Sequence, residues 1–222
     1  MNAGFLKRAF SSVVDIVIIM VVVYLTFITF GRSILRNRVP NFDEINTAYQ
    51  EILDAYNSDL AILSETYNAQ LELANGDSDL EAQAKAEYQA DLALLDNQNT
   101  IDIEPYNRAL SAYYLSNVYY FAIVFLVLTT IYTIVLNGKT LGRRMMQIRL
   151  DGPVHALTIF FHDIVFKYFF VILVFVVSMY AGLLLLMLSL MVDLILMSFT
   201  KRRATLRDVL LKINVVKSSY GY

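Results

Sequence analysis

Three long apolar runs separated by polar stretches set the pattern of this chain. The first, Phe10–Phe30, reads F-S-S-V-V-D-I-V-I-I-M-V-V-V-Y-L-T-F-I-T-F, about what a helix needs to cross roughly 30 Å of hydrocarbon. Ser116–Leu136 is a second run of that length. The third, Leu157–Phe199, holds 43 residues. As one helix it would measure roughly 65 Å at about 1.5 Å per residue, so it is expected to fold back as a hairpin near Ser178–Gly182. An alternative lays Leu157–Lys167 flat at the interface, with His162, Asp163 and Lys167 facing headgroups, ahead of one long span. The first run is too long for a signal-peptide core, carries Asp15 and lacks a small-x-small cleavage pattern, so an uncleaved anchor is expected.

Between the first two spans the period changes. Ile45, Tyr49, Ile52, Tyr56, Leu60, Leu63, Tyr67 and Leu71 recur at steps of three and four, the stripe of an amphipathic helix. Asn75-Gly76-Asp77 interrupts it as a turn, and Leu80, Ala84, Tyr88, Leu92 and Leu95 resume it. The two stripes predict an antiparallel, coiled-coil-like hairpin. Asn97–Glu104 reads as a linker, with Pro105 starting a helix that runs into the second span.

The patterns together predict an all-α membrane protein. It is a four-helix transmembrane bundle with an extracytoplasmic antiparallel helical hairpin and a small cytoplasmic two-stranded element, Ile148–Asp151 against Ile213–Lys217. The expected segments are residues 1–30 (N-terminus and first span), 31–112 (outer hairpin), 113–136 (second span), 137–156 (cytoplasmic segment), 157–200 (third and fourth spans) and 201–222 (cytoplasmic C-terminal segment). A hydrophobic share of 57% exceeds that of soluble domains, which agrees. Charge then orients the chain. Twelve of the eighteen Lys and Arg fall in the segments that lie inside if both termini do, including Lys201, Arg202 and Arg203, as the positive-inside rule requires. A multi-pass protein of the cell (inner or plasma) membrane with cytoplasmic termini follows. Gly31–Tyr113 holds fifteen Asp and Glu against five Lys and Arg, either a solvated spacer or a docking face for an extracytoplasmic protein partner.

Asn137–Gly152, N-G-K-T-L-G-R-R-M-M-Q-I-R-L-D-G, contains a G-K-T. A phosphate loop also needs a glycine five positions earlier, where Thr133 stands inside a span, so no nucleotide site is expected. Thr140–Gln147 can instead form a short surface helix with its arginines toward anionic headgroups. Three motifs occur in order: G-F-L-K-R-A-F-S-S-V-V-D with Arg8 and Asp15, then G-K-T-L-G-R-R-M-M-Q-I-R-L, then R-R-A-T-L-R-D-V-L-L-K-I-N-V-V with Asp208. On these the chain resembles the RDD family of small bacterial membrane proteins, named for one arginine and two aspartates. Arg207 stands where that family usually has histidine, and the hairpin is an insertion the resemblance does not explain. The resemblance implies a transporter, some members being similar to cation/proton antiporters in activity.

Candidate chemistry lies in the ionisable residues within the runs. Asp15, Asp163 and Asp193 are placed in one layer, about 8–9 Å inside the inner boundary, and are ion- or proton-binding candidates with Lys167. Lys167 follows Asp163 by four positions, a helical ion-pair spacing, which leaves Asp15 and Asp193 without a cationic partner. Two carboxylates close together in low dielectric share a proton, a means of coupling protons to a small cation. The competing role is gluing helices through Ser12, Ser189 or Ser198. Arg8, Asp208, Arg143 and Arg144 are structural bracing candidates at the inner surface, with Arg8 placed to reach Asp208 or the Thr140–Gly142 turn. No cysteine and only two histidines are present, so no metal site or cofactor is expected. No nucleophile–base pair marks an enzyme. The expected function is passage of small cations by cation/proton exchange, or of another small solute, in a homo-oligomer. The alternative is a non-transporting scaffold or assembly factor that binds a protein through the hairpin. Lipid is a partner in both readings, and nucleic acid in neither.

Overall fold

The computed structural model describes residues 2–199 and 203–218. Thr200 and, of the basic cluster, Lys201 and Arg202 lie outside the described residues. The chain divides into two compact units, one formed by the residues before Ile34 together with those from Asn117 onward, the other by Ile34–Ser116.

Four helices are long and apolar enough to cross a membrane. The first combines α1 (Phe5–Thr26), a π-helical stretch (Phe27–Gly31) and α2 (Arg32–Arg36). The second lies within α4 (Ser78–Val135), beyond the hairpin turn. The third joins α6 (Ala156–Phe160), a nine-residue π-helix (Phe161–Phe169) and α7 (Phe170–Val177). Ser178 then adopts an extended conformation, and α8 (Met179–Phe199) packs back on α7. Gly182 sits against the Phe175 backbone, where a Cβ would collide with it. The long apolar run is therefore two helices broken inside Ser178–Gly182. The flat alternative for Leu157–Lys167 is overturned, because His162 and Asp163 are only 2% and 3% exposed and point into the unit.

Ile19, Val23 and Phe125 form the apolar centre of this unit, flanked by Phe121, Leu128, Tyr132, Tyr168 and Ile172. Val13, Val17, Val21, Leu183, Leu184 and Met187 stay exposed on the outer faces. Bare aliphatic faces on spanning-length helices suit lipid as the surrounding solvent. At one end, α5 (Leu141–Met145) leads into β1 (Ile148–Asp151), which pairs antiparallel with β2 (Asn214–Lys217), Ile148 opposite Lys217. α9 (Leu206–Leu211) precedes β2. Asn2 forms a bridge with Val216, and the Ala3 N–H donates to the Val215 carbonyl at 2.8 Å. Ala3, Ile148 and Val215 make a small core beneath this ribbon.

In the other unit α3 (Phe42–Ala74) runs to a turn at Asn75 and Gly76, both in the left-handed region, and the first part of α4 returns alongside it. Phe42 packs on Tyr113, Tyr56 donates to Asp96 at 2.6 Å and Tyr67 packs on Tyr88. Such partners converge on the turn, as antiparallel helices must. All eight stripe positions of α3 are half-buried. On the return helix the stripe begins at Ala84, since Leu80 is 50% exposed.

Two expectations fail here. Asn97–Glu104 is not a linker, and Pro105 does not start a helix: α4 continues through both without a break. Gln98 donates to Asp102 at 2.9 Å and Thr100 to the Asp96 carbonyl at 2.8 Å, local bonds that accompany the helical path. The apolar stripes before and after proline hold one helix, so tertiary context overrides the local break signal. Pro105 still removes one backbone bond, so Pro105→Ala is expected to stabilise the protein by up to about 3 kcal/mol. Thermal unfolding followed by circular dichroism measures this, and a loss of stability would contradict it.

Candidate functional site

The site starts from a helix cap. Thr205 Oγ1 accepts from the Asp208 N–H, and Asp208 Oδ2 accepts from the Thr205 N–H at 3.0 Å. The T-x-x-D spacing thus closes both donors at the start of α9. The same carboxylate takes an ion pair from Arg8 on α1, and its Oδ1 lies 2.8 Å from His162 Nε2. His162 Nδ1 lies 2.7 Å from Asp163 Oδ1, which also accepts from Arg143 Nη2 at 2.5 Å. The result is a continuous chain, Arg8–Asp208–His162–Asp163–Arg143, in which every member is buried. Arg8 further donates to the carbonyls of Ala3 at 3.2 Å and Arg203 at 3.0 Å, and Arg143 to that of Gly138 at 2.7 Å. Buried guanidinium groups spread over several acceptors in this way leave few donors unmatched.

His162 is the pivot. Both ring nitrogens face carboxylate oxygens that already accept from other groups or belong to an ion pair. His162 therefore bridges the two carboxylates, with one at each ring nitrogen.

Asp15 is held separately. Its Oδ2 accepts from Thr140 Oγ1 at 2.6 Å, and its Oδ1 from Tyr132 Oη and the Gly142 N–H, each at 2.8 Å. Tyr132 Oη in turn accepts from the Leu141 N–H at 2.7 Å. A Cβ on Gly142 would strike the Ser11 carbonyl oxygen of α1 and come within 2.9 Å of Asp15 Cγ. The G-K-T-L-G stretch is therefore a carboxylate clamp, in which Thr140 and Gly142 present two donors to Asp15 and glycine lets the backbone approach. Asp15, Arg8, Arg143, His162, Asp163 and Lys167 line one polar pocket, about 520 Å³ of empty space counting the part open to its surroundings.

Several expectations change. Asp163 pairs with Arg143 and His162 rather than Lys167. The segment Phe161–Phe169 is π-helical, and the Asp163 oxygen that is engaged is taken by Arg143 and His162. Lys167 lies instead over the Tyr168 ring, 4.7 Å from its centroid. Asp193 does have a cationic neighbour, Arg207 Nη2 at 3.7 Å, and accepts weakly from the Leu206 N–H at 3.4 Å. It is absent from the pocket wall, so the three aspartates do not form one group. Ser12 and Ser198 bond back to their own helices, at Arg8 and Leu194, and do not glue carboxylates. Arg143 turns inward, while the Arg144 Nε donates to the Lys139 carbonyl at 3.0 Å. Sequence reasoning named His162 only as a headgroup-facing residue and Thr140 only in a surface turn, and counted neither of them, nor Tyr132, among the site residues. Thr140 had a signal, an N-cap residue after Gly138-Lys139, whereas a lone histidine in an apolar run carries none.

Burial alone would raise the Asp208 carboxyl, but the His162 hydrogen bond, the Arg8 charge and the Thr205 N–H outweigh it and hold it well below its ordinary range. Its contribution to stability is then fully present above the unfolded value of about 3.9 and is lost as pH falls below it. Acid unfolding of purified protein checks this, Asp208→Asn flattening the acid limb. Arg8→Met strands a buried carboxylate and should cost about 3–5 kcal/mol. Adding Asp208→Asn should restore part of that in a double-mutant cycle, whereas additive losses would show the pair uncoupled.

The model of the RDD family matches residues 2–212, which takes in Arg8, Asp15, the Asn137–Gly152 stretch and Asp208. Comparison with curated proteins and with solved structures gives no match. With that match and four helices of spanning length, the chain is a membrane protein that belongs to the RDD family.

Proposed function

We propose that the protein moves a small ion across the membrane in exchange with protons, through the pocket that Asp15 and His162 line. The observation that carries this reading is His162 set between two buried carboxylates on the wall of a pocket among the spans. Ionisable groups in such surroundings are costly and mark ion pathways and proton relays. Among the described residues Asp15 keeps company with three neutral donors and makes no ion pair, so a small cation entering the pocket meets a carboxylate without a cationic partner. Four spans enclose little volume, so a homo-oligomer is part of the proposal. So are cytoplasmic termini, on the distribution of Lys and Arg. The protein is then a carrier, not an enzyme.

A scaffold role has one observation of its own. Ile34–Ser116 is a compact unit by itself, and its excess of acidic side chains suits a basic partner.

Purified protein in liposomes, with pH and cation gradients imposed in turn, tests transport. Wild type should show gradient-driven flux and Asp15→Asn, eluting as a monodisperse species, should lose it. Unchanged flux in that variant, or no flux in wild type, would sink the proposal. Orientation is read by single cysteines. Asp77→Cys and Tyr180→Cys should label from outside, Arg144→Cys and Ser218→Cys from inside, and any exchange between the two sets overturns the four-span arrangement.

A further inference from the structure

Three polar groups on the pocket wall stand outside the ion chain. Among the described residues, Lys167 Nζ has no hydrogen bond or ion pair, only the Tyr168 ring beneath it. Arg207 Nε is buried without a partner, and the guanidinium is engaged only by Asp193 at 3.7 Å. Asp163 receives both Arg143 and His162 on Oδ1, which leaves its buried Oδ2 with no donor. The Asp163 side chain is 4% exposed, so bulk solvent does not serve that oxygen. Lys167, Arg207 and Asp163 all line the same pocket.

Lys167 and the Arg207 Nε are donors on the pocket wall, which call for an anion's oxygens. The Asp163 Oδ2 makes the opposite demand: it accepts only, and would repel a bare anion. An oxyanion that carries its own hydroxyl answers both, its charged oxygens toward Lys167 and Arg207 and its O–H donated to Asp163. Sulfate, chloride or a lipid phosphodiester has no hydrogen to give at neutral pH.

We infer that the Lys167–Arg207–Asp163 wall of the pocket binds a small oxyanion bearing its own proton, of the hydrogen phosphate or bicarbonate class. Binding here needs no movement across the membrane, so the inference goes beyond the transport proposal and survives its failure.

Isothermal titration calorimetry on the full chain in neutral detergent tests it, with sodium phosphate and sodium sulfate at neutral pH and matched ionic strength. Phosphate should bind saturably and sulfate about tenfold more weakly or worse, since an anion without a hydrogen leaves Asp163 facing a like charge. Lys167 gives the fold no hydrogen bond, so Lys167→Met should leave the protein folded and weaken phosphate about tenfold, while Lys167→Arg retains most of the binding. Asp163→Asn, where it folds, should narrow the gap between the two anions because an amide can donate to either. If phosphatidic acid in the micelle binds and free phosphate does not, the same chemistry is met by a lipid headgroup. Equal binding of phosphate and sulfate, no binding of any protonated phosphate, or a Lys167→Met variant indistinguishable from wild type would overturn the inference.

Discussion

A charge removed from water among apolar helices persists only with a partner, and the chain from Arg8 through Asp208, His162 and Asp163 to Arg143 meets that constraint here. Its members come from the first helix, the last short helix, the third span and the segment after the second span. Bringing them together fixes where those elements stand. The ribbon of β1 and β2 and the cap at Thr205 lie around this chain, and Arg8 reaches into both through the Ala3 and Arg203 carbonyls. The pair energies themselves contribute modestly. What makes the network compulsory is the cost of leaving any one member alone.

The same reasoning gives the G-K-T-L-G stretch its meaning. It wraps a carboxylate rather than a phosphate, with the Thr140 hydroxyl, the Gly142 N–H and Tyr132 converging on Asp15. Glycine is required where the loop meets the Ser11 carbonyl. One wall of the pocket is therefore a carboxylate served by neutral donors, another a histidine between carboxylates, and a third carries Lys167, Arg207 and an Asp163 oxygen without a donor among the described residues.

Features written in short-range pattern could be read from the sequence. Spanning-length runs, the Asn75-Gly76 turn, the break near Ser178 and the β-prone partners around Ile148 and Val215 all follow from local periodicity and turn chemistry. Features that depend on a register or a distant partner could not. Asp163 and Lys167 are spaced for an ion pair, but Arg143 and His162, one of them from another segment, take the carboxylate instead. Arg143 looks like a surface cation until Asp163 arrives from twenty residues away. Pro105 looks like a boundary because its cost is local, while the apolar stripes that override it are spread over the hairpin. His162 had no pattern at all, since its role exists only once Asp208 and Asp163 flank it.

The account turns on His162 as the bridge between Asp163 and Asp208. The chain has only two histidines, so His155→Gln leaves a single imidazole to observe. The nitrogen-15 magnetic resonance spectrum of that variant in lipid bilayers at neutral pH reads the hydrogen bonding of each ring nitrogen. Hydrogen bonds at both nitrogens, one of them lost in Asp208→Asn or Asp163→Asn, are the result this structure predicts. A ring nitrogen without a hydrogen bond in the otherwise unchanged chain would contradict it, and with it the buried chain on which the pocket is built.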